Sequence, residues 1–587
     1  MATSAASIPD DTKVDSVNQI SQATIIEHDE QRPPIVNANS YLDDEHVNLG
    51  WRSWMVVFVT CFANGAQVFV VTAAGSVIAF IVRDLGDAAI AGWIIQGPLL
   101  MQSALSPVVG RLSDVLDRKY IAALTPLIAF AGAVVSARAN SMNMLIGGGI
   151  LIGVNLSTVS IVHSIPSEIL PMKYRPLANG FGYVAGAIGG LVGVLGAGGV
   201  TNANAGGWRT IFWMQAAFYL ASSLGLLLFY WPPRRSDYPK MTLSQYIWVC
   251  DPIGSILFMA GALLTLLGFD WSGGAYHWSN PHVAAPLGIG LSLLVMFCLY
   301  EWKGRNDGLV AHVFFQGGPN FALSIFTFSV EGWIFYSAVN SVTPQVVLNL
   351  GFESTAWNVS KRQLYYNVTT LLSSIPIIWY ATKYKDLKSP LLLTLVIFLV
   401  VVICYTCISP SMEKAQIGFN VLSGIGQSGP LSLLVALIQF TAPHAYLSTA
   451  TGLAFSARAI GGAFGSAVLS AIINGKLAST YVPSISSTAH DHGLPESSVP
   501  LLISALKSGK QSSLNAVPGI NPSILAAVTK TSHTLYAHAY RLGYASIIPF
   551  VVLAIVASAC LKGVKDLMTE HVEATVEKIP NEKVAEA

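Results

Sequence analysis

The sequence predicts an all-α membrane protein: two pseudo-symmetric six-helix bundles with a helix pair inserted between them, fourteen transmembrane helices in all. Composition is the first ground. Of 587 residues, 53% are hydrophobic and 11% charged, against about 25% charged in an ordinary soluble domain. The charges gather in short clusters and leave long stretches free of them. An internal repeat is the second ground. Pro171–Gly193 recurs without gaps as Pro443–Gly465, an offset of 272, with ten of 23 residues identical, among them Gly180/Gly452, Gly189/Gly461, Gly190/Gly462 and Gly193/Gly465. The same offset pairs Asp114 with Asp386. Two copies of one helical unit in an apolar chain are the pattern of solute carriers, whose sites lie where the halves meet.

A helix needs about 20 apolar residues to cross about 30 Å of hydrocarbon. Runs of that kind fall near 54–82, 90–109, 120–137, 144–163, 178–200, 210–230, 252–270, 282–302, 319–341, 364–381, 390–408, 417–440, 449–473 and 544–561. The repeat assigns spans one to six to a bundle over 51–235 and spans nine to fourteen to a bundle over 315–561, leaving 250–305 as the inserted pair. Residues 1–50, with nine acidic and two basic side chains and no basic-then-apolar leader, read as a disordered cytoplasmic tail, and 562–587 as a second tail. The Ser-rich segment 474–543 reads as a long outer loop whose short apolar pieces at Pro500–Ile503 and Ile524–Ala526 are candidate surface helices. Basic residues set the orientation: thirteen in one set of short loops against six in the other put both termini in the cytoplasm.

The net charge of +1 supports no nucleic-acid partner. Six cysteines, all within or beside apolar runs, argue against a disulfide framework, and Cys404-Tyr-Thr-Cys407, though it has a redox or metal spacing, reads as buried small hydrophobes. No His-Glu-x-x-His, Gly-x-Ser-x-Gly or Gly-x-x-x-x-Gly-Lys-Ser/Thr occurs, so the reading holds no enzyme, no cofactor and no ATP drive. His163, Glu168, Lys173 and Arg175 lack metal-ligand spacing and read as a solvated loop. Asn358-Val-Ser360 is a glycosylation tripeptide in an expected outer loop.

Two charges fall inside spans, Glu331 in span nine and Arg458 in span thirteen. Each costs about 2.5–3.5 kcal/mol at a helix centre, so each should face protein or water and have a task. Glu331 is the candidate proton or substrate group; a structural ion pair with Arg458 is the competing reading. Asn64, Gln67, Asn155, Gln215 and Gln427 are uncharged groups that either orient a solute or hold helices together. Trp333, Phe335 and Tyr336 are candidate apolar lining or plain packing. Gly186, Gly190, Gly461 and Gly462 provide close helix contacts.

Between spans two and three, Gly110-Arg-Leu-Ser-Asp-Val-Leu-Asp-Arg-Lys119 resembles the loop signature of the major facilitator superfamily, G-x-L-x-D-x-x-G-R-K. Gly110, Leu112, Asp114, Arg118 and Lys119 match; Asp117 replaces the second glycine. The resemblance implies a conformational latch in which Asp114 faces the start of span thirteen and Asp386 the start of span five. An ordinary charged turn is the alternative. The span-five unit Gly182–Gly193 is similar to the glycine-rich helix of fourteen-span drug:proton antiporters but lacks its Gly-Pro pair. In span four, Gly149-Ile-Leu-Ile-Gly153 has glycine where many of them carry an arginine, so that coupling arginine has no equivalent here.

Ser167–Pro176, Trp208–Phe212, Tyr230–Pro233, Leu267–Trp278, Val330–Trp333 and Ser546–Pro549 together resemble the fungal trichothecene efflux pump family, whose relatives include siderophore–iron transporters. The resemblance covers nearly all of 50–570. It implies a monomeric plasma-membrane carrier, or one of a vacuolar or vesicular membrane, embedded in the lipid bilayer. Such a carrier moves a bulky apolar toxin, drug or metabolite outward against protons. Siderophore–iron uptake, with His277, His282, His490 and His492 on the outer side, is the alternative, and a non-transporting membrane sensor a third.

Overall fold

The computed structural model describes residues 49–76, 78–86, 93–116, 118–203, 206–232, 242–272, 276, 278–353, 356–508, 516–569 and 572. The acidic tail, Asp117, His277 and most of 562–587 lie outside them. Among the described residues the chain is helical, with no strand.

The helices at the expected spans are α1 (Trp51–Ser76), α2 (Trp93–Val115), α3 (Arg118–Ala137), α4 (Met142–Leu156, continued as Val159–Ile169), α5 (Arg175–Ala203), α6 (Trp208–Phe229), α7 (Pro252–Ser272) and α8 (Pro281–Leu299). They continue with α9 (Asn320–Gly332, wider Trp333–Val342, then Thr343–Asn349), α10 (Ala356–Tyr384), α11 (Lys388–Tyr405), α12 (Glu413–Thr441), α13 (Leu447–Asp491) and α14 (Pro522–Ala559). Local chemistry starts several of them. Ser141 accepts from the Met144 N–H to cap α4. Asn280 and Asn521 cap α8 and α14, each followed by proline at the first helical position, where its missing N–H is not needed.

Twelve helices among the described residues are long and apolar enough to cross a membrane, where the sequence led us to expect fourteen. The two that fall short are α2 and α10. Both have the length, 23 and 29 residues, but α2 carries Gln96, Gln102, Arg111 and Asp114, and α10 carries Lys361, Arg362, Gln363 and Asn367. The reason is position. These helices pack across the seam, α2 on α13 and α10 on α5, so part of their surface meets protein rather than lipid.

Packing repeats between the halves. Pairs α1–α5, α2–α4, α3–α4 and α3–α6 have the counterparts α9–α13, α10–α12, α11–α12 and α11–α14. One core gathers Phe69, Leu145, Ile152, Trp208, Phe212 and Tyr219; the other gathers Val346, Phe398, Val402, Tyr540, Tyr544 and Ile547. Leu228, Val295, Leu372 and Leu393 are more than half exposed, which in a membrane means turned to hydrocarbon. The α7–α8 hairpin lies on α2 and α13. Arg111 ties its flanks to α2, donating to the Val249 carbonyl at 3.1 Å and the Asp307 carbonyl at 3.0 Å.

Segment 474–543 departs from the loop expected of it. Helix α13 runs 45 residues and α14 runs 38, about 67 and 57 Å at 1.5 Å per residue, far beyond the bilayer core. Their ends and Val499–Ser508 share a small core of Tyr481, Ile485, Leu494, Leu502, Ile524 and Val528. That buried stripe keeps the Ser-rich turns helical.

Small residues set how closely helices approach. A Cβ on Gly461 would overlap the Ser329 carbonyl of α9, whereas one on Gly196 would meet open space. Gly461→Leu should therefore lose about 1–3 kcal/mol, read as a lower melting temperature in detergent, while Gly196→Leu should melt with the wild type. Equal behaviour of the two variants would contradict this packing.

Candidate functional site

Glu331 and Arg458 meet between α9 and α13, 1% and 8% exposed. The geometry is bidentate: Arg458 Nε donates to Glu331 Oε2 at 2.5 Å and Nη2 to Oε1 at 3.1 Å. Gln427 of α12 adds a donor to Oε1 at 3.3 Å, and Tyr366 of α10 donates to the Gln427 Oε1 at 2.5 Å. The third nitrogen, Nη1, reaches the Tyr336 hydroxyl at 3.3 Å. Rings of Phe328, Phe335 and Tyr336 stand 5.4, 4.7 and 5.0 Å from the guanidinium carbon, within range of cation–π attraction. Tyr183, from the other half, lies near enough to interact with both charges.

Two backbone features bring the pair together. Gly332 lies against the Arg458 carbonyl and Gly461 against that of Ser329, with no room for a Cβ on either glycine. Immediately after Glu331, α9 widens into a π-helical stretch, Trp333–Val342; such widenings are frequent at functional sites. Trp333 itself turns away from the pair, its ring 5.4 Å from Phe464 and 4.1 Å from Phe550.

The first bundle holds a neutral version of the same arrangement. Gly189 and Gly461 are repeat mates, and they rest on the carbonyls of Gly65 and Ser329 respectively. That correspondence sets Gln67 opposite Glu331, and the offset sets Asn155 opposite Gln427 and Gly186 opposite Arg458. Gln67 donates to the Asn155 carbonyl and Thr158 hydroxyl at 3.2 Å, Gln215 to the Ala66 carbonyl at 2.9 Å, and Asn64 to the Gly182 carbonyl at 2.6 Å. In this conformation these amides join helices, because buried carbonyls take up their donors. Gly186 lies beside Asn64 and Val68, Gly190 beside Val68 and Thr72, and Gly462 against the Tyr336 ring.

One end of the molecule is closed by bonds between the halves. Asp114 accepts from the Ser448 N–H at 3.2 Å, and from the Thr449 N–H and hydroxyl at 2.7 Å each, at the amino terminus of α13 where the helix dipole favours a carboxylate. Arg118 bridges Asp114 and Glu168, and His444 lies 3.0 Å from Glu168. Arg175 donates to the Gln439 carbonyl at 2.9 Å. Nearer the centre, Ser456 donates to the Ser103 carbonyl at 2.5 Å. Glu168 and Arg175 are thus buried, 3% and 0% exposed, not the solvated loop expected. Their burial depends on the opposite half, which local sequence does not show.

Three further positions differ from expectation or lie apart. Asp386 accepts from the N–H groups of Lys388 and Ser389 and caps its own helix α11; it does not reach the start of α5. Lys119 lies over the Trp231 ring. Asn358 sits in the first turn of α10, half-buried, not in a loop. Among the described residues no group of three or more His, Cys, Asp or Glu could hold a metal ion; the six cysteines are free, and Cys404 is half-buried and Cys407 exposed rather than buried, because both lie at the end of α11.

The family model described as fungal trichothecene efflux pump (TRI12) matches residues 48–585. The trichothecene efflux pump TRI12 of Fusarium sporotrichioides is 24% identical over 518 residues, 86% of this chain and 85% of that protein. The MFS-type transporter prx5 of Penicillium rubens is 25% identical over 530 residues, 88% and 92% of the two chains. In fold, the chain is similar to the inward-facing, unoccupied crystal structure of a bacterial homologue of the human lysosomal transporter Spinster. The TM-score is 0.50 at 13% identity, covering 87% of this chain and 98% of that one.

The geometry of the charge pair sets a stability test. Glu331→Leu leaves Arg458 buried and unpaired, and should cost about 3–5 kcal/mol. Adding Arg458→Met should recover most of that loss in denaturant unfolding of the detergent-solubilised protein. A double variant as unstable as the sum of the singles would deny the interaction.

Proposed function

The chain belongs to the fungal trichothecene efflux pump family, and from that membership we propose that it exports a bulky apolar toxin or secondary metabolite in exchange for protons. Membership of the family makes this a multi-pass membrane transporter of the major facilitator type for a small molecule, not an enzyme. The proposal adds direction, coupling and substrate class. In it the two bundles rock about a cleft at mid-membrane, both termini face the cytoplasm, and the membrane is the plasma membrane.

The observation that carries the coupling reading is the Glu331–Arg458 pair, held bidentate beside a π-helical stretch. Protonation of a Glu331 oxygen neutralises the carboxylate and leaves Arg458 charged, and the guanidinium is then free to take another partner. Tyr336 and the rings of Phe328 and Phe335 supply apolar wall and hydroxyl beside it. The substrate class is supported by the relative from Fusarium sporotrichioides, named as a trichothecene efflux pump. Asp114 at the amino terminus of α13 supports a latch that holds one side shut.

In proteoliposomes, an imposed pH gradient should drive movement of a radiolabelled trichothecene. Glu331→Gln should cut that gradient-driven flux by about 100-fold, in the range proton-transfer groups supply, and should flatten its pH dependence. A wild-type pH profile in this variant would remove Glu331 as the coupling group; uptake of a ferric siderophore in place of toxin flux would reverse the assigned direction. Asp114→Asn, at unchanged surface expression, should slow transport several-fold, since a charge at a helix terminus contributes up to about 2 kcal/mol. Undiminished transport would deny the latch.

A further inference from the structure

Gln439, near the end of α12, is fully buried at 0% exposed and is part of neither the charge pair nor the Asp114 latch. Its side-chain amide is saturated. Oε1 accepts from the Ser167 hydroxyl at 2.8 Å and the Asn179 amide at 2.7 Å, both from the opposite bundle. Nε2 donates to the His163 carbonyl of that bundle at 3.4 Å and to the Thr451 hydroxyl of its own at 3.3 Å. Its backbone carbonyl takes the Arg175 guanidinium. Ser167 and Gln439 are also repeat mates at the offset of 272, so the contact lies where the pseudo-twofold relation brings equivalent points of the halves together.

From these contacts a continuous path leads to the charge pair. Asn179 holds the His163 ring through Nδ1 at 3.2 Å. That ring lies 5.2 Å from Phe455, three residues before Arg458 and on the same face of α13. Phe455 in turn lies 5.6 Å from Phe328, whose ring stands 5.4 Å from the Arg458 guanidinium carbon, so separating the halves at this end breaks three side-chain bonds of one residue and disturbs a chain of rings that ends at Arg458.

We propose that Gln439 is the positioning residue that sets the balance between the two transport conformations and carries the state of the closed end to the Glu331–Arg458 pair. The proposal rests on the alternating-access reading above. It concerns the conformational equilibrium, not the substrate.

The test uses the full chain with its native cysteines replaced and Ala445→Cys, a 2% exposed position at the closed end, as a maleimide reporter. Gln439→Leu should raise the labelling rate about tenfold, lower the maximal rate of trichothecene transport and shift its apparent KM. Gln439→Glu, which keeps the acceptor oxygens, should fall between. If Gln439→Leu does not reach the membrane folded, Ser167→Ala and Asn179→Ala each remove one bond and should raise labelling about threefold. Wild-type labelling in every folded variant of this set overturns the proposal. If labelling shifts but the wild type moves no trichothecene, the substrate reading fails and Gln439 keeps its role.

Discussion

A carboxylate and a guanidinium in the middle of an apolar bundle must neutralise each other or not be there. This constraint organises the second half of the molecule. Glu331 has both oxygens occupied, by Arg458 and Gln427, and Arg458 also donates from its third nitrogen to Tyr336 and meets aromatic rings with its faces. Glycines at 332 and 461 are required because only without a Cβ can α9 and α13 come close enough. The pair is stable as long as it is complete, and unpairing either member inside the bundle is expensive. That property makes it suited to respond to a single proton.

The asymmetry between the halves sharpens the point. Gln67 and Asn155 occupy the places of Glu331 and Gln427, and a glycine occupies that of Arg458. One bundle therefore carries uncharged, hydrogen-bonded amides at these positions, and the other carries a charge pair. In a carrier that rocks as two bodies, the proposed proton response resides in one body while the other provides the fixed wall. The bonds from Ser103–Ser456 outward to Asp114 and Glu168 then all lie on one side of the charge pair. The conformation is one in which that side is shut.

Much of this was legible in the chain. The helices were readable because apolar runs of membrane length leave little alternative, and the family because motifs in many segments agree. Glu331 and Arg458 stood out because charges are rare in such runs. Other features depend on contacts between segments far apart in the chain. Glu168 looked solvated because burial is conferred by His444 and Arg118 from distant segments. Asn64, Gln67 and Gln215 left two readings open, a solute or a neighbouring helix, and backbone carbonyls of neighbouring helices take up their donors. The extensions of α13 and α14 were hidden by a serine-rich composition whose apolar stripe is spread over three segments. Gln439 was readable in principle: the repeat offset pairs it with Ser167, and polar mates in an apolar repeat are candidates for contact on the axis.

In the proposed mechanism, protonation of Glu331 shifts the arrangement of the two bundles. Distance measurement between spin labels placed on the two halves at the closed end, in lipid nanodiscs across a pH series and without substrate, tests it most directly. The account predicts that the wild-type distance distribution changes on acidification and that Glu331→Gln holds one distribution at every pH. An unchanging wild type, or the same pH response in both proteins, would contradict it.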